Sequence, residues 1–403
     1  MRALILTQHF APEVTAARFR LEPFVGELVR RGHDVEVLCA VPNHPRGVIE
    51  PGYRGAAVIR REVDGALVRY VWVFARPRKT LATRLGFYGT YAAMASAAGS
   101  LLARPDVILA SSPPLPVGAA GAVLARRHRA PWVLDVRDPW PGSAVALGEL
   151  SNRRVIALAE RLERGLYRRA AATVTVNDAF RRHVAERSPA GSRIEVISNG
   201  TTREWLAAGE TPPERTTLGL PEQRFIWAYA GNIGLAHGLE VAIDAAGRLG
   251  DGATLLIIGE GPRRADVERL ASTARPGAVE LRKLMPPSEV ARHLRAADAL
   301  LVSERQEWTV PSKLYDYCAV GRPVIAACQG ELRRVIEAAE VGIAVPHGDP
   351  TALAAAVREL RDDRALAGEL AARGRDFAAA HLREDQAARM ADLLEETAAT
   401  RLA

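Results

Sequence analysis

The segment 311–326, PSKLYDYCAVGRPVIA, puts a lysine and a carboxylate just ahead of a turn and a buried strand. Pro311-Ser312 suits a helix start, with Ser312 as the capping residue, Lys313 next to it and Asp316 one turn inside. Leu314, Tyr315 and Cys318 give that helix an apolar side. Gly321 ends it, Pro323 prevents its continuation, and 324–326 open a strand. In open α/β sheets, ligands bind in the crevice at the carboxyl ends of the strands. A carboxylate there accepts hydrogen bonds from a sugar diol, as dinucleotide folds do with a ribose. The alternative is an ordinary helix with a solvated Asp316.

Two glycine turns upstream fit the same crevice. The strand-like run 226–229 enters AGNIGLAHG (230–238), in which Gly231, Gly234 and Gly238 let a ligand approach the backbone and Asn232 and His237 stand between them. The helix that follows offers free N–H groups and a positive dipole end to a phosphate. No Lys-Ser/Thr pair follows, so this is not a Walker A loop, and a plain strand-to-helix turn remains the alternative. The run 255–258 ends in Gly259-Glu260-Gly261-Pro262. Arg282 and Lys283 follow the next strand, either beside a base or phosphate or as a solvated pair.

In the first half, 132–134 leads into DVRDPWP (135–141). Arg137 there suits neutralising a phosphate or a leaving-group charge, with Asp138 and Asp135 orienting it or taking sugar hydroxyls. A structural Arg–Asp network is the competing reading. Near the start, QHFAPE (8–13) places His9 and Glu13 after the first strand as polar contacts for an acceptor. Arg18, with the dipole of its helix, suits an acceptor phosphate. Residues 76–91, RPRKTLATRLGFYGTY, interleave Arg76, Arg78, Lys79 and Arg84 with aromatic and aliphatic residues, a pattern that fits an anionic membrane surface or a core helix with a solvated basic face.

These residues need a scaffold that aligns strand ends. Strand-like runs alternate with helical patterns from end to end, which predicts parallel, doubly wound sheets. The texture changes near residue 205, where Gly and Pro cluster through 222. The expectation is therefore an α/β chain of two Rossmann-like domains facing each other across a cleft. They would span 1–205 and 223–375, joined by a linker over 206–222, with a helical tail over 376–403 that returns to the first domain and has one break near Gly374.

Composition narrows the function. The 403 residues are 48% hydrophobic and 25% charged, as in soluble globular proteins. Cys39, Cys318 and Cys328 are odd in number and lack metal-ligand spacing, which argues for a reducing compartment and against a thiol metal site. The start, MRALIL, reads as a first strand, not as a signal peptide, and no window suits a membrane span. A net charge of +7 fits an anionic partner, and the scattered arginines argue against nucleic acid.

Taken together, the chain resembles glycosyltransferase family 4, whose members have the two-domain GT-B fold. Within it, the likeness is to transferases that add an amino-deoxy sugar such as N-acetylfucosamine in bacterial surface polysaccharide synthesis. The resemblance covers nearly the whole chain. It is carried by HFAPEVTAARFR (9–20), RRGHDVEVL (30–38), PNHPRG (42–47), DVRDPWPGSA (135–144), VISNGTT (196–202), AGNIGLAHGLE (230–240), IIGEGP (257–262), VPSKLYDYCAVGRPVIA (310–326) and GIAVPHGDP (342–350). It implies retaining transfer of a sugar, from a nucleotide-diphosphate donor with uridine as first choice, to a lipid-linked or other glycan hydroxyl. It implies no cofactor and no metal, and places the protein in the cytoplasm, at the inner face of its membrane. Arg137, Asp138 and Lys313 become the expected catalytic groups. Gly231, Asn232, Gly234, His237, Gly259, Glu260, Lys283, Glu307, Ser312 and Asp316 become the donor contacts, and His9, Glu13 and Arg18 the acceptor contacts.

The chain departs from the family pattern. Asp316 matches the second member of a Glu-x7-Glu pair that holds the ribose, but Trp308 takes the first position, with Glu307 beside it. Asn232 and His237 stand where an Arg and a Lys usually meet the diphosphate, so Lys313, Arg137 and Arg305 are the compensating cations. Rival functions are a nucleotide-sugar epimerase of the same fold and a scaffold that has lost activity.

Overall fold

The computed structural model describes residues 1–78, 80–146, 148, 150–207 and 213–400. The chain divides into two compact units, one formed by 1–198 with the segment from Arg383 onward, the other by 199–382.

The first unit is built on strands β1 (Arg2–Leu6), β2 (Asp34–Ala40), β3 (Val58–Val63), β4 (Ala66–Val71), β5 (Val107–Ser112), β6 (Trp132–Val136), β7 (Ala172–Thr175) and β8 (Ile194–Val196). Their order in the sheet is β3-β4-β2-β1-β5-β6-β7-β8. All neighbours are parallel except β3 and β4, which form a hairpin. Asp64 and Gly65 both take positive φ in its two-residue turn, the geometry an Asp-Gly pair favours. Sequence patterning finds β4 within 65–73 and misses β3, because Arg60, Arg61 and Glu62 on this edge strand are exposed and give no apolar signal. β1 lies between β2 and β5, so the chain reverses its winding there.

The helix Ala16–Arg30 starts at Thr15, whose side chain accepts the N–H of Arg18. It buries Ala17, Arg20, Leu21, Phe24, Val25 and Leu28, an apolar stripe interrupted by one arginine. Arg20 is neutralised by Asp135 at the end of β6, 2.8 Å away with both side chains buried. Asp135 also accepts Ser111 Oγ at 2.8 Å, and Arg20 donates to the Ile197 carbonyl at 2.9 Å. One ion pair thus ties the first helix to β5, β6 and the chain beyond β8.

The second unit has strands β9 (Phe225–Ala230), β10 (Ala253–Ile258), β11 (Val279–Arg282), β12 (Ala299–Ser303), β13 (Val324–Cys328) and β14 (Gly342–Pro346), ordered β11-β10-β9-β12-β13-β14 and parallel throughout. The reversal of winding falls between β9 and β12. β9 reads FIWAYA because both faces are covered: Ile226 and Ala228 enter one core cluster, Trp227 and Tyr229 the other.

The boundaries differ from those read in the sequence. Residues 213–222 do not hang free as a linker. Leu220 is buried, and Arg215 donates to the Ala296 carbonyl at 2.9 Å and meets Asp298 at 2.7 Å, so this stretch lies on the second unit. Of the rest of that expected linker, 206–207 end the short helix Arg203–Ala207 and 208–212 lie outside the described residues. The expected tail divides as well. Helix Arg364–Ala379 belongs to the second unit, and helix Arg383–Ala399 lays Ala387, Met390, Ala391 and Leu394 on the core of the first. Gly374 is not a break. It sits inside the helix Arg364–Ala379, where a Cβ would meet Cys318 at ordinary contact distance.

Removing one partner of the Arg20–Asp135 pair strands a buried charge, at a cost of about 3–5 kcal/mol. Asp135→Ala is expected to lower the unfolding free energy by that amount in urea titrations, and Arg20→Met with Asp135→Leu to recover most of it. A single variant as stable as the wild type would remove the pair from this role.

Candidate functional site

In the second unit the carboxyl ends of β9, β10 and β12 converge. The turns after β9 and β10 touch backbone to backbone. A Cβ on Gly259, whose φ is +155°, would lie 1.9 Å from the Gly231 carbonyl oxygen, and one on Gly261 would strike the backbone of Ile233. The contact is sealed by Gly231 N–H to the Ile258 carbonyl (2.9 Å) and Ile233 N–H to the Glu260 carbonyl (2.8 Å). Glycine is required here by close approach as much as by dihedral angle.

The helix Lys313–Ala319 is fixed to this corner by Tyr317, whose hydroxyl accepts the Ala230 N–H (2.7 Å) and donates to the Ala230 carbonyl (3.0 Å). Ser312 does not cap it. That residue is itself helical, at φ −58° and ψ −28°, and its exposed side chain bonds no N–H of the first turn; a Pro311 carbonyl turn begins the helix instead.

The ammonium of Lys313 then comes over Tyr229, 3.9 Å from the ring centroid, and 3.1 Å from where a Cβ on Gly231 would be. Part of its stem is exposed, but Nζ is buried and has no hydrogen-bond partner among the described residues. Burial lowers its pKa to about 7, against the partial opposition of Glu304. Glu304, 4% exposed, is itself raised by burial, although the N–H groups of Gln306 and Arg305 and the charge of Lys313 pull the other way. An unpartnered buried cation is unstable in a finished core and marks a place shaped for an anion.

His237 and His347 border this corner without adding charge. His237 Nδ1 lies 3.0 Å from the Ser303 carbonyl, so that nitrogen carries the hydrogen. Burial and then Lys313 lower its pKa to about 4. His347 is lowered too, by burial first and then Arg305. Its Nε2 is buried with no hydrogen-bond partner among the described residues and lies 2.9 Å from where a Cβ on Gly238 would be. Sequence reading named His347 only within a motif and Tyr229 only as the end of a strand, since nothing in the one-dimensional pattern shows which side chains roof a glycine turn.

The other candidates are more peripheral. Asp316 is half-buried one turn along from Lys313, and Asn232, Lys283 and Glu307 are exposed. Asn232 contributes its carbonyl, which accepts the Tyr229 hydroxyl at 2.6 Å. Glu260 is about half exposed and 3.6 Å from Arg264. The Glu307 carbonyl accepts the Glu331 N–H at 2.6 Å, where Gly330 leaves room for it.

In the first unit the ends of β1, β5 and β6 carry a second group. Glu13 is buried. One oxygen meets His9 Nδ1 at 2.6 Å, and the other accepts the N–H groups of Asn43 and His44 at 2.6 and 2.7 Å. Burial pushes its pKa up, but the His9 contact and the two N–H bonds outweigh this and leave it lowered. Glu13 therefore holds His9 and the 43–44 loop, and is not free to take an acceptor. Arg18 is likewise engaged, with Glu22 at 3.0 Å and the Pro12 carbonyl at 3.2 Å. Arg137 donates to the Pro113 carbonyl at 2.9 Å, keeps a buried Nε with no hydrogen-bond partner among the described residues, and has its pKa lowered by burial. Asp138 is half-buried beside it in sequence. Asp135 belongs to the Arg20 pair, so this part of the charged cluster is structural.

Two family descriptions match the chain: "Glycosyl transferase 4-like domain" over residues 16–200 and "Glycosyl transferases group 1" over 224–363. The chain belongs to glycosyltransferase family 4. It is 26% identical over 376 residues to the putative colanic acid biosynthesis glycosyl transferase WcaI of Escherichia coli K12, covering 89% of this chain and 92% of that one. Among solved structures, sucrose-phosphate synthase of Thermosynechococcus elongatus superposes with a TM-score of 0.79 at 18% identity, covering 99% of both chains. HepE of Anabaena, in complex with UDP and glucose, gives 0.70 at 16% identity, covering 98% of this chain and all of that one. These are GT-B folds. Both matched regions are glycosyl transferase domains, and together they take in most of the chain.

The low pKa of Lys313 has a consequence for stability. Below about pH 7 the lysine is charged in both the folded and unfolded chain, and its burial is most unfavourable. Between about 7 and its ordinary 10.5 the unfolded chain binds the extra proton, so stability rises with pH across that window. Lys313→Met should flatten the rise in denaturation midpoint. An equal slope in wild type and variant would contradict the burial of the charge.

Proposed function

We propose that this transferase moves a sugar from a nucleotide-diphosphate sugar, with uridine as the base, to a hydroxyl of a lipid-linked glycan acceptor, with retention at the anomeric carbon. The observation that carries the reading is the buried, unpartnered Lys313 ammonium above the Gly231–Gly259 contact. A diphosphate placed against the two glycine turns gives that ammonium the anion it lacks. The first turn of helix Leu239–Gly247 adds N–H donors at the same strand end. HepE, of similar fold, holds UDP.

In this reading Asp316 takes the ribose hydroxyls. The bond from the anomeric carbon to the diphosphate oxygen breaks, and the electron pair leaves with the diphosphate. The acceptor oxygen bonds the same carbon on the same face, and its proton passes to the departing diphosphate. Lys313 stabilises the charge that grows on the leaving group, an interaction stronger in the transition state than before it. No cofactor or metal is assigned a step. The exposed Arg76, Arg78 and Arg84 suit the inner face of the cytoplasmic membrane, where a lipid-linked acceptor resides; Lys79, of the same stretch, lies outside the described residues.

Asp316→Ala removes a charge-assisted bond of about 1.5–3 kcal/mol and should raise the dissociation constant for UDP about 10- to 150-fold in calorimetric titrations. Unchanged affinity in the folded variant would sink the ribose assignment. Lys313→Ala should lower turnover with a UDP-sugar by roughly one to three orders of magnitude. A near-wild-type rate would show that the charge is balanced elsewhere. Product made from donor without acceptor would point instead to an epimerase.

A further inference from the structure

The second unit gathers arginines at the amino ends of its strands, the edge of the sheet opposite the Gly231–Gly259 contact. Asp298 directly precedes β12, and Arg322 lies two residues before β13 begins. Asp298 is already occupied. It meets Arg215 at 2.7 Å and Arg364 at 3.3 Å, and it accepts the Ile226 N–H at 2.7 Å. Two further arginines, Arg295 and Arg375, stand at this edge, and neither forms an ion pair among the described residues.

Arg295, in the last turn of helix Pro287–Ala296, is 7% exposed, and its Nη2 is buried with no hydrogen-bond partner among the described residues. Burial lowers its pKa, and the neighbouring charge that lowers it further is a second cation, Arg375. Arg375 is half-buried on helix Arg364–Ala379. Its Cδ lies 3.1 Å, and its Nη1 3.6 Å, from where a Cβ on Gly321 would be. Arg322, next in the chain, donates its Nε to the Arg295 carbonyl at 2.9 Å. The turn at 321–322 therefore touches both arginines. A guanidinium kept to finish a helix donates to its last carbonyls. Arg322 does this for the helix that carries Arg295, whereas Arg295 Nη2 donates to nothing. A buried guanidinium beside another, with no carboxylate to offset either, is unfavourable unless an anion joins them.

We infer that Arg295 and Arg375 bind a phosphate group at a site separate from the donor corner. Each guanidinium fork matches phosphate oxygens in pairs, and one dianion offsets both charges. The phosphate is either the free ion or part of a phosphorylated metabolite. β12 is five residues long, and at about 3.3 Å per residue it sets the two ends of the sheet roughly 16 Å apart, so one phosphate does not serve both. The site does not depend on the nucleotide-sugar reading.

The test is calorimetric titration of the intact protein and of its Lys313→Met variant, which lacks the other ammonium that draws a phosphate. Inorganic phosphate and glucose 6-phosphate are the probes, at an ionic strength held constant with chloride. Inorganic phosphate is expected to bind the Lys313→Met protein, and adding Arg375→Gln should raise its dissociation constant at least about tenfold. Arg295→Met, which removes the buried charge and keeps the bulk, should abolish binding and leave the protein at least as stable as its parent in chloride. Tighter binding of glucose 6-phosphate than of inorganic phosphate identifies a phosphorylated metabolite, and equal or weaker binding identifies the free ion. Phosphate that binds the wild type but not the Lys313→Met protein sits at the donor corner and overturns the site. Binding unchanged by Arg375→Gln and Arg295→Met overturns it too, as does a large loss of stability in Arg295→Met, which would give that guanidinium a part in the fold.

Discussion

The arrangement of the second unit depends on one steric constraint, the contact between the turns after β9 and β10. A side chain on Gly259 would occupy the position of the Gly231 carbonyl oxygen. Because both residues lack one, two adjacent parallel strands can turn back at the same level, and the space above them stays open to backbone donors. Tyr317 then locks the following helix to β9, and Lys313 falls into place over Tyr229. Each step fixes the next, so a lysine ends with its charge buried beside a glycine-lined gap.

That geometry leaves Asn232 and His237 without a charge to add at this corner. Asn232 is exposed, and His237 is kept neutral by burial and by Lys313 itself. Two cations at this distance in a poorly solvated corner would repel one another. A neutral histidine that donates to the Ser303 carbonyl avoids the conflict and leaves a single cation whose protonation a bound anion can favour.

The first unit solves a related problem with paired charges. Arg20 and Asp135 are both buried and neutralise each other where the first helix meets the sheet. Glu13 is also buried, but it is satisfied by a histidine and two loop N–H groups, so it holds His9 and the 43–44 loop. At both strand ends a buried acid is structural. Among the described residues a buried nitrogen without a hydrogen-bond partner lies near each, Arg137 Nε two residues after Asp135 and Gln8 Nε2 near Glu13.

Much of this was legible in the residues alone. Alternating strand and helix patterns, glycines at strand ends and PSKLYDY ahead of a buried strand determine two parallel doubly wound units and point to 231, 259, 313 and 316, because apolar periodicity and turn chemistry are local properties. The edge strand β3 escaped because its exposed charges carry no such period. Tertiary structure alone decided which charges are spent. Ser312 loses its capping role to the Pro311 turn, Arg18 turns to Glu22, and Arg215 binds an apparent linker to the second unit. Lys313 loses solvent and gains the Tyr229 ring but no hydrogen-bond partner among the described residues. Burial and partnership depend on residues distant in the chain, and those are what separate a charge that holds the fold together from one kept for a ligand.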